Sequence, residues 1–356
     1  MTESARAMTE SALLRRDDAA WDAFVAGSAA PSHLQTTAWA RVKASNGWRP
    51  VRVVADGGSG PIGAQILMRT LGPGPFAMGY AARGPIATVL DQASVEAISD
   101  ALRRAAKRHR LTHVTMDPAL EGVAPGELLR AAGWRPADPV QHDRSRLIEL
   151  TSSEPELWSG LRSNARRYVN RARKLGCSVH EGGAAELDAF FAIMVETAER
   201  SGFFHRSAAA YREIYDAFAP SDEARLLFAH LPDGTPAAAK MLLSCGGRVT
   251  QPYSGMTGAG GESRANYLLE WETIRQAAAR GETLYDMWGL ANPGIAQFKA
   301  GFGGHEVAYC GTWDLVTLPL LRDVLVQARR GYIRLARRRR GLATGETPDR
   351  PAPTDG

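Results

Sequence analysis

Strand-like and helix-like segments alternate twice along this chain in nearly the same order, which limits its possible folds more than any other feature. Each half has strand patterns, an amphipathic helix and one more strand, at 49–70, 92–109 and 112–116 and again at 224–254, 266–280 and 283–286. Such alternation is typical of helices packed on a sheet. The order predicts two α/β or α+β units, although no residue identity between the halves supports a duplication.

Length and composition agree with two globular units. The chain has 356 residues, of which 44% are hydrophobic and 23% charged, and one domain takes roughly 150 residues. No apolar run approaches the ~20 residues of a membrane-spanning helix. Residues 1–18 lack the apolar core of a signal peptide, and residues 1–20 are expected to be a frayed lead-in. We therefore predict a cytoplasmic protein.

The three cysteines argue against a disulfide framework and against a metal site. Cys177, Cys245 and Cys310 are scattered, without the paired spacing that zinc ligands or disulfide-rich domains show. We expect them to be buried as small hydrophobic residues. No metal and no cofactor are predicted.

The positive charge is concentrated in two segments. The net charge is +5, but 329–340 alone holds seven arginines and no acidic residue, so the rest of the chain sums to about −2. A second basic run without acidic residues lies within 162–174. Local basicity of this kind indicates a polyphosphate partner, although charged helix faces are often only solvated.

One lysine stands between two phenylalanines near the end of the second unit. A short strand at 283–286 leads into a Gly/Pro loop and then to Phe298, Lys299 and Phe302. The two rings, four residues apart, would share one face of a helical turn, while Lys299 projects elsewhere. A cation held in a partly dry turn can stabilise a developing oxyanion. The alternative is that Lys299 only lies across the core with its charge in water.

Several short motifs, taken together, resemble the Fem family of peptidyltransferases, which use aminoacyl-tRNA to build side chains and cross-bridges on peptidoglycan precursors. They cover about residues 33–315 in the family's order, and each is weak alone. The motifs are Leu34 to Lys43 with Gly47-Trp48, Gly79 to Pro85, Asp117-Pro118, Ser163 to Gly176, Phe204-His205-Arg206, Tyr253-Ser254-Gly255, Asn266 to Trp271, Tyr285-Asp286, and Phe298 to Gly303.

The resemblance implies an α+β fold of two tandem GNAT-like (acyl-CoA N-acyltransferase) domains with mixed sheets flanked by helices. We assign 1–145 to the first domain, with a C-terminal helix at 318–340 packing back on it, and 146–317 to the second. The helix at 184–201 is too short for one arm of the coiled-coil insertion of some members, so no such insertion is expected. Residues 341–356 are predicted to be a disordered tail.

The resemblance also carries residue roles over to matching positions. Lys299, with Phe298 beside it, is similar to the lysine that stabilises the transferring carbonyl or the terminal ribose of the tRNA. Lys43 and Arg206 resemble contacts to the diphosphate of the cell-wall precursor. Other implied substrate contacts are Asp117, Tyr253, Arg83 and Tyr80. Thr112 stands where some members have a tyrosine. Ordinary structural roles are the alternative at each position.

The implied reaction is transfer of Gly, Ala or Ser from aminoacyl-tRNA to a free amine on the stem peptide of a lipid-linked or UDP-linked precursor. The ester is already activated, so the enzyme only has to hold the amine against it. Arginines of the basic runs would hold tRNA phosphates: Arg166, Arg167, Arg171, Arg337 and Arg338. The terminal run could instead contact anionic lipid at the membrane surface. No DNA partner is expected.

Other functions stay open from the sequence. A CoA-dependent N-acyltransferase needs a Gln/Arg-x-x-Gly-x-Gly/Ala loop before a helix, and Thr257 to Arg264 lacks that order. The chain could also bind tRNA without catalysis, or aminoacylate a small molecule or peptide rather than a cell-wall precursor.

Overall fold

The computed structural model describes residues 3–70, 74–202 and 205–339, which form two compact units. The first consists of 3–143 and 308–339, and the second of 144–307. Residues 308–317, predicted to lie in the second unit, lie in the first, because a strand there pairs within the first sheet. The tail predicted at 341–356 lies outside the described residues.

Helices and strands follow one another in mixed order along both units. The α-helices are α1 Glu3–Arg16, α2 Asp18–Ala26, α3 Thr37–Ser45, α4 Gln92–His109, α5 Ala124–Ala131, α6 Glu154–Gly160, α7 Ser163–Lys174, α8 Leu187–Ser201, α9 Ala208–Phe218, α10 Gly258–Ser263, α11 Ala265–Ala279, α12 Pro293–Ala300 and α13 Pro319–Arg339. The strands are β1 Arg49–Gly57, β2 Gly60–Thr70, β3 Ala77–Ala81, β4 Ile86–Ala87, β5 Leu111–Met116, β6 Arg135–Pro136, β7 Arg144–Glu149, β8 Ser178–Gly182, β9 Ala224–His230, β10 Pro236–Cys245, β11 Arg248–Met256, β12 Leu284–Asp286, β13 His305–Ala308 and β14 Trp313–Val316.

The sheet of the first unit is mixed. Its strand order is β1-β2-β3-β5-β14-β6, with the short β4 also pairing with β2. The strand patterns predicted at 49–70 form the antiparallel pair β1 and β2, and β3 pairs parallel with β5. Strand β14 inserts antiparallel between β5 and β6, about 200 residues away from β5 in sequence. This position in the sheet is therefore filled by a strand that comes from the far end of the chain.

The sheet of the second unit repeats this arrangement. Its order is β13-β7-β12-β11-β10-β9-β8, in which β9, β10 and β11 are antiparallel and β11 pairs parallel with β12. Strand β7 inserts next to β12, at the position that β14 takes in the first sheet. The predicted repetition of topology is therefore seen in the strand pairings.

Each sheet carries its own hydrophobic core. In the first unit Trp21, Trp134 and the apolar face of α4 are buried, and in the second Trp271, Phe302 and the apolar side of α7. Burying one large side chain contributes about 1.5–3 kcal/mol. The longest described helices of the second unit, α8 and α11, have 15 residues. A coiled-coil insertion is thus absent from the described part of this unit, as predicted.

Side-chain caps explain several helix boundaries. Thr36 caps α3, and its Oγ accepts from Trp39 N. In the Gly-rich segment after β11, Thr257 caps the short helix α10. Residues 3–16 form α1 rather than a frayed lead-in. Ser11 and Arg15 fasten α1 to β1 through hydrogen bonds of 2.6 Å.

Helix α13 is tied to the first unit by two bidentate ion pairs. Arg322 binds Asp314 on β14, with its two nitrogens at 2.6 and 2.9 Å from one oxygen, and Arg330 binds Asp138 at 2.6 and 2.8 Å. In the described part of the chain, no helix combines the length and apolar character that crossing a bilayer requires.

Candidate active site

Helix α12 brings Lys299 to the end of β12. Asn292 starts the helix, since its side chain accepts from Ile295 N at 2.9 Å, and Pro293 occupies the first turn. Lys299 follows in the last turn and is 8% exposed. Lys299 is thus a largely buried cation at the end of this helix.

The ammonium group of Lys299 is directed at the loop that leaves β12. It donates to three consecutive backbone carbonyls, those of Met287, Trp288 and Gly289, at 2.7, 3.0 and 2.6 Å. We call 287–289 the lysine-bound loop. Because an ammonium has three N–H donors, these carbonyls can occupy all of them. Lys299 thus fixes the backbone conformation of this loop and brings a positive charge to it.

The lysine-bound loop is strained. Trp288 has φ of 61°, in the left-handed region that bulky residues avoid. Such a residue costs of order 1–3 kcal/mol and persists only where its surroundings hold it. Two hydrogen bonds hold the Trp288 backbone in this conformation. Its N–H donates to Asp286 at 2.8 Å, and its carbonyl accepts from Lys299.

Asp286 anchors this loop to the sheet. It is buried, lies 2.5 Å from Arg248 Nη2 and accepts from Ser145. Burial raises the pKa of Asp286, but the Arg248 charge and the hydrogen bonds outweigh it and hold the pKa below its ordinary value. Asp286 is therefore a carboxylate that positions the loop.

Phe298 belongs to an aromatic cluster next to Lys299. Its ring lies edge-on to Tyr267 at 4.9 Å and to Phe302 at 5.3 Å between centroids. Phe302 is buried, whereas Phe298 and Tyr267 are half-buried. The two phenylalanines share a face, as their spacing predicts.

In the first unit, the structure brings Tyr80, Arg83 and Asp117 together at the ends of β3 and β5. Asp117 accepts from Tyr80 Oη at 2.6 Å, from Arg83 N at 2.8 Å and from Gln141 N at 3.0 Å. Gln141 also donates to Tyr80 at 3.1 Å. The buried carboxylate is thus fixed by three donors on three different segments.

The Arg83 side chain crosses the same region. Its guanidinium donates to the backbone oxygens of Asp117 and His142 at 3.3 and 2.7 Å and lies 4.6 Å from the Tyr309 ring centre. The residue is 4% exposed, and its backbone φ is 56°. This backbone angle is uncommon for arginine and persists only where neighbouring residues hold it. The hydrogen bonds of Arg83 supply that support.

A cavity of about 170 Å³ opens at this cluster, entirely within the first unit. Arg83, Asp117, Gln141, Tyr309, Cys310 and Trp313 are among its lining residues. Burial raises the pKa of the Cys310 thiol to about 11, so the thiol stays protonated near neutral pH. The cavity combines a carboxylate, a cation and aromatic faces without an activated nucleophile at Cys310.

The other predicted precursor contacts are ordered as well. Arg206 Nε donates to Tyr253 Oη at 3.0 Å, so these two residues are neighbours in the second unit. Phe204 of the same motif lies outside the described residues. In the first unit, Lys43 is 8% exposed and its Nζ lies 4.7 Å from the Trp39 ring centre. The Lys43 side chain is thus largely buried and packs on an aromatic ring.

The predicted tRNA contacts are spread over two helices. On α7, Arg167 and Arg171 are exposed, whereas Arg166 is half-buried and donates to the Ser159 and Leu161 carbonyls. Arg337 and Arg338 lie on α13, and their side chains are outside the described residues. Arg166 therefore has a structural role at the start of α7.

Comparisons with known proteins bear on both units. Residues 17–122 match the FemAB family. This match lies within the first unit. Residues 159–300, within the second unit, match an acetyltransferase (GNAT) domain, as the resemblance implied for that unit.

Curated proteins similar to this chain include two staphylococcal enzymes. It is 27% identical over 226 residues to a lipid II:glycine glycyltransferase of Staphylococcus saprophyticus, and 27% identical over 223 residues to that of Staphylococcus haemolyticus. The matches cover 60% and 59% of this chain, and 54% and 53% of the relatives. The chain thus spans about half the length of the curated relatives it matches.

Solved structures confirm the predicted fold. The crystal structure of FemX aligns with a TM-score of 0.76 at 21% identity, covering 85% of this chain and 96% of that one. A tandem GNAT protein from the clavulanic acid biosynthesis pathway aligns with a TM-score of 0.51 at 12% identity, covering 88% and 96%. At these identities the likeness concerns the fold.

The sequence analysis did not predict a buried polar network in the second unit. Lys240 on β10 forms an ion pair with Glu270 on α11, and both side chains are nearly inaccessible. Tyr285 donates to Glu270 at 2.8 Å, and Gln251 contacts both Lys240 and Tyr285. The sequence contains one indication of this network: each of the apolar runs 237–243 and 268–271 includes a single charged residue.

Burial shifts the pKa values of two members of this network. Burial lowers the pKa of Lys240, although the Glu270 charge opposes that shift. Burial and the Glu270 charge raise the pKa of Tyr285 well above its ordinary value, so its phenol stays protonated. The network fastens β10, β11, β12 and α11 together, and β12 leads directly into the lysine-bound loop.

Proposed function

We propose that this protein is a Fem-family aminoacyltransferase that moves Gly, Ala or Ser from aminoacyl-tRNA to a free amine on the stem peptide of a peptidoglycan precursor. The observation that carries the proposal is the shared identity with the two lipid II:glycine glycyltransferases. Their names favour glycine as the amino acid and a lipid-linked acceptor. The half-length overlap is the reason for testing the reaction directly.

The reaction needs positioning more than covalent catalysis. The amine nitrogen attacks the ester carbonyl, a C–N bond forms, and the bond to the ribose 3′ oxygen breaks. The proton lost by the amine ends on that oxygen, so the products are an amide and a free tRNA hydroxyl. Because an amine adds readily to an ester, fixed geometry and charge stabilisation can account for much of the rate.

Lys299 supports this chemistry through the loop it holds. We propose that its charge, fixed close to the carbonyls of 287–289, keeps the loop in its strained shape and stabilises negative charge on the tetrahedral intermediate. Its donors are engaged by backbone oxygens, so a direct hydrogen bond to the oxyanion would require one of them to be released. Phe298 would shield the site from water.

The other predicted residues are assigned to the acceptor. In the first unit, the cavity beside Arg83, Asp117 and Tyr80 has the carboxylate and cation that a zwitterionic stem peptide would pair with. We keep the prediction that Lys43 in the first unit contacts the precursor phosphates. In the second unit, Arg206, which is hydrogen-bonded to Tyr253, is assigned the same role. Guanidinium and ammonium groups that are already ordered lose little entropy on binding phosphate.

A membrane contact through α13 forms part of the proposal. Leu320 and Val324, one turn apart, are 84% and 65% exposed. Basic residues dominate the rest of the helix in sequence, with seven arginines and one aspartate between 319 and 339. Exposed apolar residues beside arginines suit an anionic lipid surface, where a lipid-linked acceptor would be found.

The GNAT match makes a CoA-dependent acyltransferase the second candidate. Its pyrophosphate would need free backbone N–H groups after β11. There, Gly258 N donates to Glu196 at 2.8 Å, and Gly260 N donates to Thr257 at 3.0 Å. A Cβ on Gly260 would lie 2.0 Å from the Ala237 oxygen, so this glycine serves close packing. These amides already donate hydrogen bonds, one of them to a carboxylate, so the segment is poorly suited to bind a pyrophosphate. This disfavours the CoA-dependent candidate.

The test combines three charged tRNAs with two acceptors. The protein is incubated with radiolabelled Gly-, Ala- or Ser-tRNA and with lipid-linked or UDP-linked precursor, and labelled precursor is measured. We expect transfer with glycine and the lipid-linked acceptor above all. Transfer in no combination, together with saturable acetyl-CoA binding by calorimetry, would overturn the proposal in favour of the CoA-dependent reaction.

A further inference from the structure

Helix α13 is held to the first unit mainly by charge. Among the side chains between 319 and 331 that the structure describes, none is buried and most are exposed. The helix therefore gains little stability from apolar burial at these positions. Its described fastenings are the ion pairs of Arg322 with Asp314 and of Arg330 with Asp138. A helix attached in this way can be released by a competing anion.

The two ion pairs differ in how readily they open. The side chains of Arg322 and Asp314 are 20% and 3% exposed, whereas those of Arg330 and Asp138 are 45% and 48% exposed. An ion pair that water reaches contributes little and is screened by salt, while a buried carboxylate that loses its partner is costly. Arg330 lies roughly 12 Å further along the helix than Arg322. The buried pair therefore acts as a fixed hinge, and the exposed pair is the one that opens.

Both acidic partners stand next to residues that line the cavity of the first unit. Ala137 and Pro139, on either side of Asp138, line this cavity. Trp313, which precedes Asp314, lines it as well. The position of α13 is thus linked to two segments of the cavity wall. We call the exposed ion pair of Arg330 with Asp138 the α13 clasp.

The cavity is small for a peptide in this conformation. Its volume is about 170 Å³, whereas pockets for drug-sized ligands measure about 300–1,000 Å³. The wall at 137–143 has neither helix nor strand, so it can move without disrupting the sheet. Ala137 N donates to the Thr312 carbonyl at 2.9 Å, and Gln141 N donates to Asp117 at 3.0 Å. Between these two bonds, the α13 clasp restrains the wall.

We propose that an anionic lipid surface releases the α13 clasp and thereby widens the cavity that takes the acceptor. Negative head groups would attract Arg330 away from Asp138, and the wall between Ala137 and Gln141 would move outward. The attraction of one arginine to such a surface is similar in size to an exposed ion pair, so the surface can compete. Leu320 and Val324, exposed on the same helix, would enter the interface.

This inference rests on the proposed function, because the cavity is assigned there to the stem peptide of the acceptor. It adds regulation of that site, since the cavity would open at the surface where a lipid-linked acceptor is found. A helix that serves only as an anchor would leave access to the cavity unchanged when the protein binds vesicles. Access to the cavity is therefore the quantity to measure.

Cys310 lines the cavity and can report its opening. The protein is treated with an uncharged maleimide, and labelling of each cysteine is followed by peptide mass spectrometry. Measurements are made without vesicles, with phosphatidylcholine vesicles, and with vesicles that contain about 30% phosphatidylglycerol. We expect only the anionic vesicles to raise the Cys310 labelling rate, by about two- to fivefold, the factor that an exposed ion pair contributes. Cys177 and Cys245, buried in the second unit, are internal references that should not respond.

Asp138→Asn opens the clasp without removing a positive charge from α13. Its Cys310 should be labelled without vesicles about as fast as that of the wild type on anionic vesicles, while its vesicle binding stays unchanged. Arg212→Gln, which removes an arginine from an exposed ion pair of the second unit, is the matched control and should behave like the wild type. If Asp138→Asn lowers the thermal unfolding midpoint, the response of the wild type to anionic vesicles still decides.

The outcomes separate this inference from the proposed function. The clasp proposal is overturned if the wild type does not sediment with anionic vesicles, or if it does so with an unchanged Cys310 labelling rate. Neither result depends on transfer activity, so the proposed function can stand without the clasp. If Cys310 responds as expected while no aminoacyl-tRNA supports transfer, the clasp stands and the proposed function fails. Where both hold, Asp138→Asn should lower the KM for the UDP-linked acceptor in the absence of vesicles.

Discussion

Lys299 Nζ lies 2.6 Å from the carbonyl oxygen of Gly289, the shortest of its three bonds to the loop that leaves β12. This contact ties the last turn of a helix to a strained loop whose middle residue, Trp288, has a left-handed backbone. The lysine is thus first a residue that shapes the backbone, and its charge acts from that position.

Replacing Lys299 by Met should therefore impair both the fold and the reaction. Three carbonyls lose a charged donor, and we expect the free energy of unfolding to fall by about 2–3 kcal/mol. Loss of a fixed charge near a developing oxyanion should lower kcat by roughly 100-fold. Urea denaturation and steady-state transfer kinetics measure the two effects. A Lys299→Met protein with wild-type kcat would contradict the assigned role, and Lys299→Arg should lie between the two.

Asp117→Asn should disturb the first unit even though the residue keeps its size. Tyr80, Arg83 and Gln141 each donate a hydrogen bond to the Asp117 carboxylate. In the variant the amide nitrogen would face at least one of these donors and could not accept its hydrogen bond. We expect a loss of about 1–3 kcal/mol in the free energy of unfolding and a raised KM for the acceptor. Tyr80→Phe removes one donor only and should cost about 1 kcal/mol. Equal stability of Asp117→Asn and wild type would show that the network is not needed.

The sequence predicted the elements that depend on local patterns. The strand patterns at 49–70 and the helix at 92–109 follow from turn residues and periodicity, which act within a few residues, and the structure has β1, β2 and α4 there. Strand β14 could not be placed this way, because its partner β5 is about 200 residues away. Likewise α1 depends on contacts of Ser11 and Arg15 with β1 rather than on its own pattern.

The candidate site was predictable in its residue types but not in its geometry. The position of Lys299 between Phe298 and Phe302 indicated a fixed cation, but not that the ammonium would bind carbonyls of 287–289. That contact depends on the left-handed conformation of Trp288, which no local pattern indicates for a tryptophan. The Lys240–Glu270 pair was likewise hidden, since each residue gives only one charge in an apolar run.

The Lys240–Glu270 pair gives a prediction about buried charge. Lys240→Met or Glu270→Leu alone leaves one charge buried without its partner, and each should lower the free energy of unfolding by about 3–5 kcal/mol. The double variant removes both charges and should cost much less than the two losses combined. Urea denaturation of all three measures the coupling, with Arg130→Met in an exposed pair as the control. Additive losses would argue against a direct interaction.

Asp286 makes part of the stability depend on pH. Its folded pKa is held below the ordinary value of 3.8, so the unfolded chain binds the proton more readily. The ionised carboxylate therefore stabilises the fold fully above 3.8, and this contribution is lost as the pH falls through the lower folded pKa. Asp286→Asn should be less stable than wild type at pH 7, and the difference should shrink below about pH 4. A difference in urea midpoints that stays constant from about pH 7 to about pH 3 would contradict this.

Helix α13 gives a prediction about the membrane surface. Leu320 and Val324 are exposed on one face, in a helix whose sequence is strongly basic. In sedimentation with vesicles of phosphatidylcholine and about 30% phosphatidylglycerol, the double variant Leu320→Asp/Val324→Asp should bind at least about tenfold more weakly, since two apolar side chains no longer enter the interface.

The control for this experiment is Val123→Asp, which changes a residue that is 76% exposed outside α13. Binding should also weaken with added salt and on uncharged vesicles, because the arginines act through charge. If the double variant binds vesicles like the wild type, the exposed apolar face has another role, and RNA binding by the terminal arginines becomes the better account of their charge.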